Sequence, residues 1–315
     1  MKRPLFQFAA RSKDKAELRR STSGAAFAEI ARAVLSNGGV VFGAAWSPDF
    51  RVVHQCAENL EALENLRGSK YAASDLSGVF EELSHFLAQG RQVLFSGTPC
   101  QTAAVRKRFG DDPNLFLCAV MCYSVAEASV WEKYLAEIRQ LGGSVRKICF
   151  RDKCFGWANS KFSVEFGEAT KNFSESATEN VYLRAFYSGL STKDACLKCP
   201  FRSGNSGADV MIGDFWGVEK TVPRFADDRG VNAVLVYTSK GQKLMGQSAL
   251  DMEPVDYAQI LAGNPCLEVS PKGNLRARKR FRLACRKMSL AQAIDFSFRL
   301  PLWKRILSKA RRILG

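Results

Sequence analysis

The sequence predicts an α/β (α+β) fold in which helices cover a mixed, partly parallel β-sheet. Short apolar runs that favour strands alternate along the chain with longer segments that favour helices. This β-α-β order is typical of parallel strands joined by crossover helices. The chain has 315 residues, of which 46% are hydrophobic, so it can bury one large core or two modest ones.

The predicted elements follow one another in that order. The first helix runs from about Ala25 to Ser36 and ends at the glycine pair that follows Asn37. Further helices are predicted over residues 75–88 and 126–140 and from residue 274 onward, and the segment 155–179 is predicted as strands plus loop. Strands are predicted at residues 40–46, 51–56, 92–97, 115–121, 145–150, 210–216 and 233–237. We place soft boundaries near Gly97 and Lys272, which divide the chain into residues 1–97, 98–272 and a basic helical tail, 273–315.

The composition narrows the class of protein. No apolar run reaches the ~18 residues of a membrane span, and the basic N-terminus has too short an apolar run for a signal peptide. We therefore predict a cytoplasmic protein, in which ten cysteines favour metal or redox chemistry over disulfides. The net charge of +15 would suit nucleic acid, anionic lipid or an acidic partner, or only a basic soluble surface.

Part of this charge lies at the C-terminus, where basic and apolar residues alternate. The pattern is typical of an amphipathic helix that lies on a membrane surface, docks on a partner or caps the core. The residues are Lys304, Arg305, Ile306, Leu307, Lys309, Arg311, Arg312, Ile313 and Leu314.

Four cysteines carry the strongest chemical signal, because each ends an apolar run or adjoins a proline. Cys100 stands in the first turn of a predicted helix, a position that favours thiolate. Cys122 follows a predicted buried strand, and Cys196 and Cys199 form a Cys-x2-Cys pair that can grip one metal ion or one edge of a cluster. Zinc stays open as an alternative, with Cys118 and Cys122 or Cys149 and Cys154 as a second pair of less suitable spacing. Cys118 itself is more typical of a core residue. Neither His54 nor His85 has the sequence context of a ligand.

Three loops could bind an anion or a ring system. Ser21-Thr22-Ser23-Gly24 precedes a helix, so it predicts either an N-cap or a phosphate site. Arg67-Gly68-Ser69-Lys70-Tyr71 could contact a phosphate and a ring, or could be a solvated turn. The segments 151–157 and 209–217 combine charge, glycine and tryptophan at strand ends, which suits either a flavin or core packing.

These motifs together resemble the beta subunits of coenzyme F(420) hydrogenase/dehydrogenase, the FrhB/FdhB family. The resemblance covers roughly residues 17–272. It rests on Arg-Gly-Ser-Lys-Tyr (67–71), Gly-Thr-Pro-Cys-Gln-Thr-Ala-Ala (97–104), Phe-Arg-Asp-Lys-x-x-Gly-Trp (150–157), Cys-x-x-Cys-Pro-Phe-Arg (196–202), Ile-Gly-Asp-Phe-Trp-Gly (212–217) and the segment 228–241.

The resemblance implies a flavin- and iron–sulfur-dependent oxidoreductase with FAD and one 4Fe–4S cluster. Such proteins pass a hydride pair between an organic substrate and one-electron carriers. The implied cluster ligands are Cys100, Cys122, Cys196 and Cys199. The implied flavin contacts are Ser21, Thr22, Ser23, Gly24, Lys70, Thr98, Arg151, Lys153 and Trp157, with Lys70 and Lys153 stabilising reduced, anionic flavin. In this scheme residues 1–97 are flavin-associated and residues 98–272 carry the cluster and part of the flavin site.

Three departures from the family pattern bear on partners and substrate. The chain carries no cysteine-dense ferredoxin module ahead of the shared region, which implies a separate ferredoxin-like carrier or redox subunit. Tyr123-Ser124 stands where relatives often have His-Gly, and Gly24-Ala25 where they usually have Gly-Gly. The substrate class stays open between a deazaflavin-like molecule and a polysaccharide-pathway metabolite.

Two other classes of protein remain as alternatives. A zinc-stabilised, basic nucleic-acid-binding protein would account for the charge and the Cys-x2-Cys pair, although the aromatic residues lie in apolar strands and glycine loops and do not alternate along a basic face. A scaffold in polysaccharide biosynthesis that has lost its cofactors would keep the fold without the chemistry.

Overall fold

The computed structural model describes residues 3–167 and 172–299. The amphipathic segment predicted at residues 304–314 lies outside these residues. Within them the strands are β1 Phe6–Ser12, β2 Val40–Trp46, β3 Val52–Ala57, β4 Ser74–Asp75, β5 Val93–Gly97, β6 Leu115–Val120, β7 Val145–Asp152, β8 Lys161–Phe166, β9 Phe173–Ser176, β10 Val210–Asp214, β11 Asn232–Val236 and β12 Leu250–Pro254. The α-helices are α1 Lys15–Arg20, α2 Ala26–Ser36, α3 Leu60–Leu66, α4 Val79–Ala88, α5 Pro99–Phe109, α6 Ala128–Gly142, α7 Val181–Tyr187, α8 Val218–Thr221, α9 Ser239–Gly246, α10 Tyr257–Gly263, α11 Leu275–Cys285 and α12 Leu290–Phe298.

The predicted fold class is confirmed, because the strands form one large mixed sheet with helices against it. Its order is β12-β1-β11-β10-β6-β5-β2-β3-β4. The central pairs β10–β6, β6–β5 and β5–β2 are parallel, whereas the pairs of β1 with β11 and β12 and the pair β2–β3 are antiparallel. Every residue of β5 and of β11 is buried, as expected of strands covered on both faces.

A second sheet, with strand order β7-β8-β9, is antiparallel. It packs with α6, α7, α11 and α12 around an aromatic core that includes Trp131, Phe150 and Tyr182. The predicted strands within residues 155–179 are therefore confirmed as β8 and β9. Helices α11 and α12 belong to this core through Phe281 and Leu290, which are fully buried.

Two helices begin two or more residues later than predicted, and both differences have a local cause. Helix α4 begins at Val79, because Ser74 and Asp75 pair with β3 as a short edge strand. Gly78 then starts the helix from a left-handed conformation with a φ of 78°. Helix α6 begins at Ala128, since Ala126 forms an isolated bridge with Thr192.

The large sheet takes strands from both sides of residue 97, where β5 ends beside its parallel neighbour β6. The division of the chain at residues 97 and 272 stays a prediction. Among the described helices, none has the length and apolar character that a membrane crossing requires.

Candidate functional site

Five cysteine side chains line one small cavity of about 40 Å³. Four of them are the predicted ligands Cys100, Cys122, Cys196 and Cys199, which lie in three separate segments of the sequence. The fifth, Cys266, was missed by sequence reasoning. It follows Pro265, just as Cys100 follows a proline, so the same signal could have found it.

The sheet explains why Cys100 and Cys122 meet. β5 and β6 are adjacent and parallel, so the residues that follow their carboxyl ends emerge at the same edge. Cys100 lies in the first turn of α5, where Thr98 is the N-cap and forms a capping box with Gln101. The Oγ1 atom of Thr98 lies 3.1 Å from the Cys100 sulfur, so the predicted contact residue Thr98 stands beside this thiol.

The Cys196 and Cys199 segment is anchored from a different part of the chain. Cys196 lies in a short 3-10 turn, Asp194–Lys198. Asp194 accepts hydrogen bonds from Arg278 at 2.6 Å and Arg282 at 2.7 Å, both on α11. The N–H of Cys199 donates to the hydroxyl of Ser270 at 3.1 Å. Helix α11 therefore holds the Cys-x2-Cys segment in place.

The thiols of the cavity interact electrostatically. Burial raises the pKa of Cys122, the nearby Cys196 and Cys100 raise it further, and the positive charge of Arg202 opposes this. Burial likewise raises the pKa of Cys266, which Arg202 also opposes. The Cys122 sulfur is therefore close to those of Cys100 and Cys196. Without a bound metal, the neutral thiol is favoured at Cys122 and Cys266.

The described residues contain no group of three or more His, Cys, Asp or Glu side chains that could hold a metal ion. A four-iron cluster requires a different arrangement. Each thiolate then binds a different iron, so the sulfurs surround a body of several atoms and stand further apart than around a single ion. Five cysteine sulfurs around one cavity suit such a ligand set.

A second and larger cavity, of about 380 Å³, lies over the carboxyl ends of β5, β6 and β10. Its volume falls in the range of small-molecule sites. Of the residues predicted to contact a flavin, those that line it are Ser21, Thr22, Ser23, Lys70, Thr98 and Arg151. Gly24, Lys153 and Trp157 are not among its lining residues.

The two turns that sequence reasoning singled out for phosphate meet at this cavity. The N–H of Ser69 donates to Thr22 Oγ1 at 3.1 Å, which joins them. Neither Thr22 nor Ser23 caps helix α2: the N-cap is Ala25, which has a φ of 66° and no side-chain cap, and the Ser23 hydroxyl donates to the Val231 carbonyl at 2.9 Å. The first turn of α2 lines the cavity. Its Ala26 N–H donates to Asn232 Oδ1 at 2.9 Å, which leaves the N–H groups of Phe27 and Ala28 for an anion bound in this space.

Gly24 is required by packing. A Cβ atom at this position would lie 2.4 Å from the Ala10 carbonyl oxygen and 2.6 Å from the Asn232 nitrogen. The turn therefore runs directly against β1 and β11, and this contact fixes where α2 begins.

A buried ion cluster lies behind these turns. The Glu17 carboxylate is fully buried and accepts hydrogen bonds from Arg20 at 3.0 Å, Arg32 at 2.6 Å and both terminal nitrogens of Arg67. Burial alone would raise the pKa of Glu17, but the hydrogen bond and charge of Arg67 and the charges of Arg32 and Arg20 outweigh it and hold the pKa below its ordinary value. Helix α1 is thereby tied to the turn that carries Lys70.

Lys70 and His54 bring titratable groups to the larger cavity. Burial lowers the pKa of Lys70 to about 7, and its ammonium donates to the carbonyls of Arg67 at 2.8 Å and Gly68 at 3.2 Å. Burial lowers the pKa of His54 to about 4, so this ring is neutral near pH 7. His54 stacks on Phe95 at 5.2 Å, a role that its sequence context did not reveal.

The predicted flavin segment 151–157 divides into a lining residue and supporting residues. Arg151 lines the cavity and pairs with Asp214 at 2.8 Å. Trp157 donates to the same carboxylate at 3.0 Å, and its ring stacks at 4.8 Å on Trp216, which does line the cavity. The Lys153 ammonium donates to the backbone carbonyls of Leu18 at 2.6 Å and Arg229 at 2.5 Å. Lys153 therefore stabilises the contact between these two segments.

The two cavities share a wall. Cys122, Ser124, Val125 and Cys266 line both of them. Tyr123, which stands where relatives often have histidine, also lines the larger cavity, and its hydroxyl donates to the Tyr187 carbonyl at 3.2 Å. Groups bound in the two cavities would be separated only by this thin layer.

Comparisons with known proteins agree with the fold and with the motifs. Residues 90–258 match the family model for the C terminus of the coenzyme F(420) hydrogenase/dehydrogenase beta subunit. A solved structure of the F(420)-reducing nickel–iron hydrogenase complex from Methanosarcina barkeri contains a chain with the same fold. It is 18% identical, with a TM-score of 0.56, and the match covers 100% of this chain and 94% of that chain. Comparison with the curated proteins gives no match. Because the family model spans more than half of the sequence, the chain belongs to the coenzyme F(420) hydrogenase/dehydrogenase beta-subunit family, and thus to a family of oxidoreductase subunits.

Proposed function

We propose that the protein is a flavin- and iron–sulfur-dependent oxidoreductase. In this proposal the larger cavity binds FAD, and the cysteine cavity binds one 4Fe–4S cluster. FAD would supply two-electron hydride chemistry and the cluster one-electron transfer. The observation that carries the proposal is the wall of Cys122, Ser124, Val125 and Cys266, which is common to both cavities.

The donor set of the smaller cavity fits an iron–sulfur cluster. Its sulfurs are soft ligands, which iron–sulfur clusters require, and the cavity brings five of them together. We propose Cys100, Cys122, Cys196 and Cys199 as the ligands, as the family resemblance implies. Cys266 then remains a free thiol beside the cluster.

The lining of the larger cavity fits the chemistry of FAD. The first turn of α2, with the hydroxyls of Ser21, Thr22 and Ser23, would receive the diphosphate. Lys70 supplies positive charge near an anionic ring, and Trp216 supplies an aromatic wall. Arg151 lines the same space, with its charge balanced by Asp214. These residues would bind and orient the flavin and limit the access of water, while the shared wall keeps it next to the cluster.

The partners follow from the same proposal. A one-electron carrier, either a ferredoxin-like protein or a separate redox subunit, would exchange electrons with the cluster, and a small organic molecule would exchange hydride with the flavin. A deazaflavin and a polysaccharide-pathway metabolite both stay open as substrates. Contact with a membrane through residues 304–314 stays a prediction, and nucleic acid is not part of the proposal.

The test is an anaerobic absorption spectrum of the purified protein, with iron, sulfide and zinc measured on the same sample. We expect a broad band near ~400 nm and about four iron atoms per chain, with flavin bands after FAD is added. About one zinc per chain without the band would favour the nucleic-acid-binding alternative. A colourless, metal-free protein after anaerobic reconstitution would favour the scaffold.

A matched pair of variants tests the ligand assignment. Cys199→Ser removes a proposed ligand, so iron content and the absorption band should be lost. Cys266→Ser makes the same chemical change at the same cavity, yet we expect it to keep its iron. Equal iron content in the two variants would contradict the assignment.

A further inference from the structure

Arg202 is a buried cation at the edge of the cysteine cavity. It is only 8% exposed and lines this cavity together with the five cysteines. Its guanidinium donates to the Tyr123 carbonyl at 2.7 Å, to the Cys122 carbonyl and the Ser270 hydroxyl at 3.2 Å each, and to the Cys266 carbonyl. All four acceptors are neutral oxygen atoms.

The other buried or half-buried arginines near the two cavities are neutralised. Arg278 pairs with Asp194 at 2.6 Å, Arg151 with Asp214 at 2.8 Å, and Arg67 with Glu17. Arg202 forms no ion pair with any residue that the structure describes. A buried charge without an opposite charge is costly, so its counter-charge is expected to come from a bound group.

The cavity beside Arg202 suits a group of negative charge. A four-iron cluster held by four thiolates carries a net negative charge, which increases by one when the cluster accepts an electron. The guanidinium is fixed to the backbone at Cys122 and Cys266, two residues that line the cavity. It is therefore held close to wherever the cluster binds.

We propose that Arg202 is the charge partner of the iron–sulfur cluster and raises its reduction potential. The inference rests on the proposed function, since it requires a cluster in this cavity. A nearby positive charge in a site with little water stabilises the more negative, reduced state more than the oxidised state. Arg202 thus acts on the cluster through its positive charge, and it touches neither substrate nor flavin.

Two variants separate the charge of Arg202 from its hydrogen bonds. Arg202→Gln removes the charge and keeps a donor, whereas Arg202→Lys keeps the charge and loses the planar fork. Lys198→Gln is the matched control: Lys198 lies between Cys196 and Cys199 in the sequence, but its side chain is exposed. Solvent screens its charge, so its removal should have a smaller effect.

The experiment is a redox titration of the full chain after anaerobic cluster assembly. The fraction reduced is followed by the absorption near ~400 nm, and iron and sulfide are measured for every variant. We expect the midpoint potential of Arg202→Gln to be more negative than that of the wild type. Arg202→Lys should stay close to the wild type, and Lys198→Gln should shift less than Arg202→Gln.

The other possible results of the redox titration also test the role of Arg202. Equal midpoint potentials for Arg202→Gln and the wild type, at equal iron content, would overturn the inference and leave the proposed function standing. If Arg202→Gln binds no cluster while Arg202→Lys does, the charge is needed for assembly, which supports the inference. If both variants lose the cluster, the fork geometry is responsible and the charge role is refuted. A wild-type chain that binds no iron would refute the proposed function first, and the inference with it.

Discussion

Replacing Glu17 by glutamine tests whether the buried ion cluster holds the turns of the larger cavity. The Glu17 side chain is fully buried and receives hydrogen bonds from Arg20, Arg32 and Arg67. The Arg67 side chain is itself only 9% exposed. Glutamine removes the negative charge of Glu17, so these guanidinium groups lose the carboxylate that they share. Removing one partner of a buried pair costs about 3 kcal/mol or somewhat more, so the free energy of unfolding should fall by this amount.

A neighbouring carboxylate provides the control. Glu64 pairs with Arg67 at 2.8 Å and with Arg20 at 3.6 Å, but its side chain is 45% exposed. Exposed pairs contribute about 1 kcal/mol or less. Glu64→Gln should therefore unfold at nearly the same urea concentration as the wild type at pH 7, as monitored by tryptophan fluorescence. Equal losses of stability in the two variants would refute the reasoning.

The pH dependence gives an independent check on the same carboxylate. The pKa of Glu17 in the folded state lies below its ordinary value of 4.5. Its ionised form therefore contributes stability above pH 4.5, and this contribution is lost as the pH falls through the folded pKa. Acidification below pH 4.5 should thus narrow the difference in the free energy of unfolding between the wild type and Glu17→Gln. A difference that stays constant on acidification would contradict the assignment.

Three further predictions concern the two cavities and the parts that hold them. Because the pKa of Lys70 is lowered to about 7, its positive charge is lost as the pH rises through 7. FAD should therefore bind more tightly at pH 6 than at pH 8 in flavin-fluorescence titrations, and the affinity of Lys70→Met should depend less on pH. Gly24→Ala places a Cβ atom 2.4 Å from a backbone oxygen, so it should lower the free energy of unfolding by about 2 kcal/mol or more in urea denaturation. In the control Gly246→Ala the new Cβ atom meets nothing within 4 Å, so the stability should stay the same or increase. Arg278→Met leaves buried carbonyl groups unpaired, so it should lower the free energy of unfolding by about 3 kcal/mol and lower the iron content. Arg282→Met changes a side chain that is 39% exposed and should lower the free energy of unfolding by about 1 kcal/mol or less. Equal losses of stability in the two variants would contradict this reasoning.

The elements that sequence reasoning found are those in which a local pattern and the final environment agree. Residues 93–97 and 115–120 form apolar runs, and both strands lie in the centre of the large sheet. Cys118 was expected to be a core residue and is fully buried. Helix α2 follows its predicted bounds within one residue, because glycines stand at both of its ends.

The elements that were missed depend on distant partners. The basic N-terminal segment forms β1 only because it pairs with β11 and β12, which lie more than two hundred residues later. Asp75 leaves the predicted helix and joins Ser74 in a short strand, because β3 offers an open edge. Strand pairing over such distances leaves no periodic signal in the residues themselves.

By itself, the sequence determined which residues can supply the chemistry: ten cysteines, a Cys-x2-Cys pair, a thiol at a helix start, and glycine- and serine-rich turns. Only the tertiary structure decided which of them meet. It brought Cys266 to the four predicted cysteines, joined the turns of residues 21–24 and 67–71, and moved Lys153 and Trp157 behind the cavity. It also left Arg202 buried without a carboxylate partner among the described residues. The physical reason is that the reactivity of a side chain is a local property, whereas burial and the distance between charges depend on the packing of segments that are remote in sequence.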